Sequence, residues 1–315
     1  KNSDAAVHIA RNFASVNFGY SGNANIGELD STPTGSALSS VTVNTNANNV
    51  SFDGVISGSG SITKAGAGTL ILSGTNTYSG GTTISAGTLS IGSDTNIGSG
   101  TNTIGNKGTL LLSGNGTYTN DWTLSGAGSA IATDNNNTLS GVLSGNGGLT
   151  KTGAGTLTLT GNNTYAGGTA INDGTLKGNI ASGTDLSIAD SATYDGANAA
   201  RSVGGLNGGG KLLNTSGLTV QSGDFAGIID NSNTSLTKTG AGTLTLSGTN
   251  TYTGMTTVRS GTLALGSDLT SNQLTLYGGT VFDRGSHNHS LDNGILSVNG
   301  ANSQSAMYKG DLSAR

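Results

Sequence analysis

Three near-copies of one segment lie 87 residues apart in this chain. The first runs from Lys64 through Leu70 and Tyr78 to Ile84, the second from Lys151 through Tyr165 to Ile171, and the third from Lys238 through Tyr252 to Val258. A repeated unit that cannot bury its own apolar face has to stack on its neighbours, which makes the chain a solenoid. Length then adds layers rather than cores, so 315 residues do not imply two globular domains.

Within the unit, Thr69-Leu70-Ile71-Leu72-Ser73 alternates in the manner of a strand and places Leu70 and Leu72 on one face. Leu157 and Leu159, then Leu244 and Leu246, repeat the pattern. A Gly-Thr-Asn-Thr-Tyr-Ser-Gly-Gly turn follows in the first copy, then a strand at Thr82-Thr83-Ile84, a turn at Ala86-Gly87 and a third run at Thr88-Leu89-Ser90-Ile91. Read as one coil this is about 22 residues, and 87 is close to four such coils. Weaker rungs stand at Gly108 to Gly114 with Tyr118, and at Leu274 to Thr280. Short units with three strands fit an all-β, right-handed parallel β-helix better than a tandem of β-sandwiches. About fourteen coils spaced about 4.8 Å apart are expected.

Composition supports that architecture. Charged residues are 10%, Gly numbers 55, Pro 1 and Cys 0. Such a sequence could be a disordered linker, but evenly spaced alternating apolar runs argue for packed strands. Pro is scarce because it would remove ladder hydrogen bonds. A long solenoid needs no disulfide, so absent Cys excludes little. Net charge is −4, with no basic stripe and no aromatic platform, so nucleic acid is not expected as a partner. No apolar run approaches the roughly 20 residues of a spanning helix, and no signal-peptide pattern opens the chain. A soluble mature product, or a fragment of something longer, is expected. Residues 1–40 differ in texture and are expected as an N-terminal cap or leader. Asp4 would cap a short helix with Ala6, Ile9, Ala10 and Phe13 on one face, and Val16, Phe18 and Tyr20 would alternate as a strand. Residues 41–315 form the repeat region, expected to continue past Arg315 because no cap closes it.

The block Leu236 to Gly254, with its versions at Ile62 to Gly80 and Leu149 to Gly167, resembles the passenger-associated transport repeat of bacterial autotransporters. With the weaker rungs the resemblance covers roughly residues 40–300. It implies a Gram-negative passenger domain, exported with help from its own C-terminal β-barrel, which these residues do not include. It also implies a place at the cell surface, on the outer membrane or outside the cell. Relatives of this kind act in adhesion, virulence or self-association, so host surfaces or glycans, or a second passenger, are the expected partners. Two departures stand out. Met255 replaces the second Gly of the Gly80-Gly81 and Gly167-Gly168 pairs, so that position is expected not to demand a glycine backbone. Gly178 stands where Ile91 and Leu265 fill the core, and the second copy is expected to loop out there.

Residues that could carry chemistry are few. Gly205-Leu206-Asn207-Gly208-Gly209-Gly210-Lys211 matches part of a phosphate-binding loop, but Leu212 follows instead of Ser or Thr, and a solenoid corner explains it. His287 and His289 with Asp283 are too few ligands for a metal and read as surface residues; His8 stands alone. Glu28 is the only Glu, and the closest carboxylate pairs outside the leader, Asp185 with Asp190 and Asp224 with Asp230, offer no evident glycosidase constellation. Lys64, Lys151 and Lys238 are expected as solvated rung-edge residues, and Tyr78, Tyr165 and Tyr252 as side chains packed over a turn. No catalytic, cofactor or metal residue is assigned. The expected function is a non-catalytic surface passenger acting in adhesion or self-association. The alternatives are a stalk presenting a distal domain, and a polysaccharide-cleaving β-helix.

Overall fold

The computed structural model describes residues 15–17, 24–26, 41–47, 49–230, 234–287, 289–299 and 307–309. Nearly all regular structure is short parallel strand, making a parallel β-solenoid of about 12 turns; the expected fourteen had divided the whole chain length. The proposed cap at Asp4 to Phe13, with Phe18 and Tyr20, lies outside the described residues, while Val16 falls in the strand Ser15–Asn17. No described helix is long and apolar enough to cross a membrane. The chain divides into two compact units, Lys1–Gly167 and Gly168–Arg315.

In the first unit, one sheet stacks Ser15–Asn17, Val41–Asn44, Ile62–Ala65, residues 82–84, residues 102–104, Trp122–Leu124 and Leu143–Ser144, every pair parallel. A second sheet stacks Ala24–Ile26, Asn49–Phe52, Thr69–Leu72, residues 88–91, residues 109–112, Ala130–Ala132 and Leu149–Thr152. A third, shorter sheet holds Thr117–Tyr118, Asn137–Leu139 and Thr156–Leu159. Inward residues form aliphatic columns because register keeps each side chain above its counterpart one coil away. Val50, Leu70, Leu89, Leu110 and Ile131 make one such column, all of them buried. Each contributes about 1.5–3 kcal/mol of burial.

The second unit repeats the design. Val203, Val220, Lys238, Val258 and Leu276 share one inward column, and Leu244, Leu263 and Phe282 another. Its long strands Thr193–Gly208 and Lys211–Phe225 pair in parallel, with a register shift at Ala199.

Several expectations are corrected by the register. Thr88-Leu89-Ser90-Ile91 does not close a 22-residue coil; it stacks directly on Thr69–Leu72 as the start of the next one. The second-sheet column advances in steps of 19 to 21 residues. Three strands per coil occur at Trp122–Leu124, Ala130–Ala132 and Asn137–Leu139. Around the first repeat there are two, and the third side is irregular backbone bonded coil to coil, as from Thr77 N–H to the Ile56 carbonyl at 2.8 Å. Gly178 does not loop out. It ends the strand Thr175–Gly178 at φ +95°, buried, and its carbonyl accepts the hydroxyl of Tyr194 at 2.8 Å. The Tyr194 phenol of the next coil is itself fully buried.

Candidate functional site

Lys64 lies in the strand Ile62–Ala65 with the parity of Ile62, so its side chain points inward, between Val43 and Ile84 of the neighbouring coils. It is fully buried, as are Lys151 and Lys238, which overturns the reading of these residues as solvated. A buried ammonium needs acceptors. Lys64 Nζ donates to the carbonyls of Ala65 at 2.9 Å, Gly66 at 2.8 Å and Ala86 at 3.0 Å. Lys238 Nζ donates to Thr239 at 2.6 Å, Gly240 at 2.8 Å and Ser260 at 3.0 Å, and Lys151 Nζ to Thr152 at 3.0 Å and Gly153 at 2.6 Å.

These carbonyls converge because the corner backbone is left-handed. Gly66, Gly153 and Gly240 have φ of +78°, +79° and +76°, a region that costs residues with a side chain about 1–2 kcal/mol. Burial lowers the Lys64 amine to about 8, and moves that of Lys238 in the same direction.

Two further elements of the repeat are structural, and the first of them, the asparagine, was not legible as such. Asn76, Asn163 and Asn250 each accept the backbone N–H of a residue one coil earlier: Ile56 at 2.7 Å, Leu143 at 2.7 Å and Ile229 at 2.9 Å. The tyrosines are buried as expected, and the Tyr78 and Tyr252 hydroxyls pair with Thr82 and Thr256 at 2.6 and 3.2 Å. Within the first unit, Lys64 belongs to the first sheet and Lys151 to the second. Four coils on from Lys64 the register reaches the first-sheet strand Leu143–Ser144, so 87 residues is four coils plus one side. Lys64 and Lys151 therefore stand on different sides of the first unit and do not line one surface.

What does line a surface is hydroxyl. Thr42, Thr63, Thr83, Thr103, Thr123 and Ser144 stand in register on the outer face of the first sheet, partly exposed, and no described residue bonds their hydroxyls. At about 4.8 Å per step the column is about 24 Å long. Among the described first-sheet strands of this unit the only ionisable side chain is the buried Lys64. In the second unit Ser202, Thr219, Thr237, Thr257 and Thr275 stand in register in the same way, partly exposed except for the buried Thr257.

The remaining candidates take structural places. Gly205 to Lys211 is a strand end, a two-residue bend and a strand start, with no helix after it. His287 Nδ1 lies 3.9 Å from Asp268, while Asp283 accepts Gly285 N–H at 3.0 Å. Among the described residues no three His, Asp or Glu groups gather for a metal. Asp185 accepts Gly205 N–H at 2.6 Å, Asp121 accepts Val142 N–H at 2.6 Å, and Asp230 accepts the Thr251 hydroxyl at 2.7 Å. Asp94, at the 3-10 turn Asp94–Asn96, holds Thr119 and Asn120. Asp94, Asp121, Asp185 and Asp230 thus act as staples between coils.

The passenger-associated-transport-repeat family model matches residues 62–91, 149–177 and 236–265. No curated protein and no solved structure matches the chain. The repeats and the parallel β-solenoid together fit an autotransporter passenger.

Proposed function

We propose that this chain is the solenoid of an autotransporter passenger displayed on a Gram-negative cell, and that it works by adhesion or self-association through its outward hydroxyl columns rather than by catalysis. The repeat family supports export to the cell surface, with a β-barrel translocator C-terminal to the passenger as the natural partner. The observation that carries the adhesive reading is the column from Thr42 to Ser144: six hydroxyls in register that no described residue bonds, on a sheet face whose described strands carry no exposed charge. Interface cores are depleted in charge, and ordered hydroxyls can bond either a second passenger or a glycan.

Strands of three or four residues make that face about 10–13 Å wide, so it offers about 300 Å², well under the roughly 800 Å² per partner of a stable complex. One face is therefore weak, and adhesion depends on many copies acting together on a cell. Cells displaying the chain should clump with one another or bind a glycan-coated surface. The pair Thr63→Lys and Thr103→Lys, which charges the face while leaving the core untouched, should abolish the effect. Clumping and binding that are absent from the native chain, or unchanged in the variant, would refute the adhesive reading.

A spacer reading draws support from one observation, the different facing of the copies carrying Lys64 and Lys151. Displayed, folded chain that adheres to nothing would favour it.

A further inference from the structure

We infer that each transport repeat builds a carbonyl cage for a monovalent cation, and that the native chain fills the cage with the ammonium of its own lysine. Three features of the first copy converge on this. Three carbonyl oxygens, of Ala65, Gly66 and Ala86, surround one point at 2.8–3.0 Å, a spacing suited equally to an ammonium hydrogen bond and to a large alkali cation. Two of them come from the corner itself and the third from the following coil, so the cage exists only when the two coils are stacked. The backbone is shaped around the charge: Gly66 reaches its carbonyl inward from φ +78°, and a Cβ on Gly87, at φ +67°, would lie 2.7 Å from Nζ and 2.3 Å from the Gly66 oxygen.

The third copy repeats the arrangement in the second unit with Lys238, Thr239, Gly240 and Ser260, and with Gly261 at φ +71°. The aliphatic column does not need a lysine there, since Val and Ile occupy the equivalent places one coil away. What the corner needs is a positive charge opposite three carbonyl dipoles whose loss would leave buried acceptors unpaired. The Lys64 amine, at about 8, remains mostly protonated at neutral pH. Because the cation is part of the chain, these corners close without taking an ion from the medium, in contrast to solenoids whose turns bind calcium.

Chemical rescue tests the cage. Thermal unfolding of the full chain carrying Lys64→Ala is followed by far-ultraviolet dichroism in ammonium, methylammonium, potassium and tetramethylammonium chlorides at one ionic strength. The variant should melt below the native chain. Ammonium, methylammonium or potassium should then raise its midpoint by about 2–4 °C over tetramethylammonium, with no such difference in the native chain. Equal midpoints in all four salts would overturn the inference, as would a Lys64→Met chain as stable as the native one. Should Lys64→Ala not fold, Lys238→Ala is measured in the same way. If neither folds, recovery of the β signal on dilution from urea is compared between methylammonium and tetramethylammonium, and equal recovery overturns the inference.

Discussion

Lys64 Nζ and the carbonyl oxygen of Ala86 are 3.0 Å apart, although 22 residues of chain separate them and they belong to successive coils. The bond ties one layer to the next through a charged group inside an apolar column. It is the strongest sign that what recurs in this sequence is a way of closing a corner. In the first unit the first two copies close corners on different sheets, so repetition there serves the stacking: Thr63 recurs as Thr150, but on the second sheet, and does not extend the first-sheet column.

Burial of the three repeat lysines should be visible to an amine reagent. Lys107 and Lys211 are exposed, and Lys177 is partly so beside Asp195 at 3.6 Å. In the folded chain Lys64, Lys151 and Lys238 should react at least about tenfold more slowly than these, since reaching them requires local opening that costs more than about 1.4 kcal/mol. Peptide mapping by mass spectrometry after graded acetylation measures the ratio. In urea-unfolded chain all six should react alike, and comparable rates in the folded chain would place the lysines outside.

Glycine corners should split into sensitive and tolerant positions. A Cβ at Gly66, φ +78°, would meet Asn44 Oδ1 at 2.4 Å and Asn46 N at 2.6 Å. Gly66→Ala should therefore cost about 2 kcal/mol or more. Gly116 has no atom within 4 Å of its would-be Cβ, and its φ is not positive. Gly116→Ala should change stability by no more than about 0.5 kcal/mol. Urea titrations of both variants supply the comparison, and a Gly66→Ala chain as stable as Gly116→Ala would contradict the corner geometry.

The solenoid was legible because burial follows two-residue alternation: Leu70, Leu72, Leu157, Leu159, Leu244 and Leu246 all point inward as their spacing requires. The same alternation put Lys64 on the inward side with Ile62. The signal was present, but hydropathy overruled it, because an inward lysine makes sense only once left-handed glycines are known to aim carbonyls at it. Coil length was misjudged for a related reason. A three-strand reading of Thr69 to Ile91 took the first strand of the next coil for the last strand of its own, and only pairing register separates the two. Asn76 was hidden for another reason, since its partner, the Ile56 N–H, lies 20 residues back on an irregular side that no periodic pattern marks.

Met255 and Gly81 occupy the same place in the repeat but differ in backbone. Gly81 sits at φ +85°, where a Cβ would lie 2.1 Å from the Thr101 carbonyl, whereas Met255 is 42% exposed and not left-handed. The expectation that this position does not demand a glycine backbone therefore holds for the third copy and fails for the first. Gly81→Met should lower stability by about 2 kcal/mol or more, and Met255→Gly by under about 1 kcal/mol. Thermal midpoints of the two single variants test it, with the reverse order as the contrary result.

Stability should have a maximum on the alkaline side, and two kinds of buried group set its limits. The Lys64 amine is lowered from 10.5 to about 8 by burial, so between those values the unfolded chain holds more protons than the folded one, and stability rises with pH. Burial raises the phenols of Tyr78, Tyr118 and Tyr252 above their ordinary 10.0, against the smaller opposing pull of their hydrogen bonds. Past pH 10.0 the unfolded chain therefore gives up phenolic protons that the folded chain keeps, and stability falls. Urea midpoints measured from pH 7 to 11 should climb beyond about 8, turn over near 10 and then decline. In Lys64→Met the climb should shrink, and in Tyr252→Phe the decline should be shallower. Phenolate absorbance should stay low for these tyrosines until the β signal is lost. Their ionisation in chain that is still folded would mean that the phenols are not enclosed by the coils.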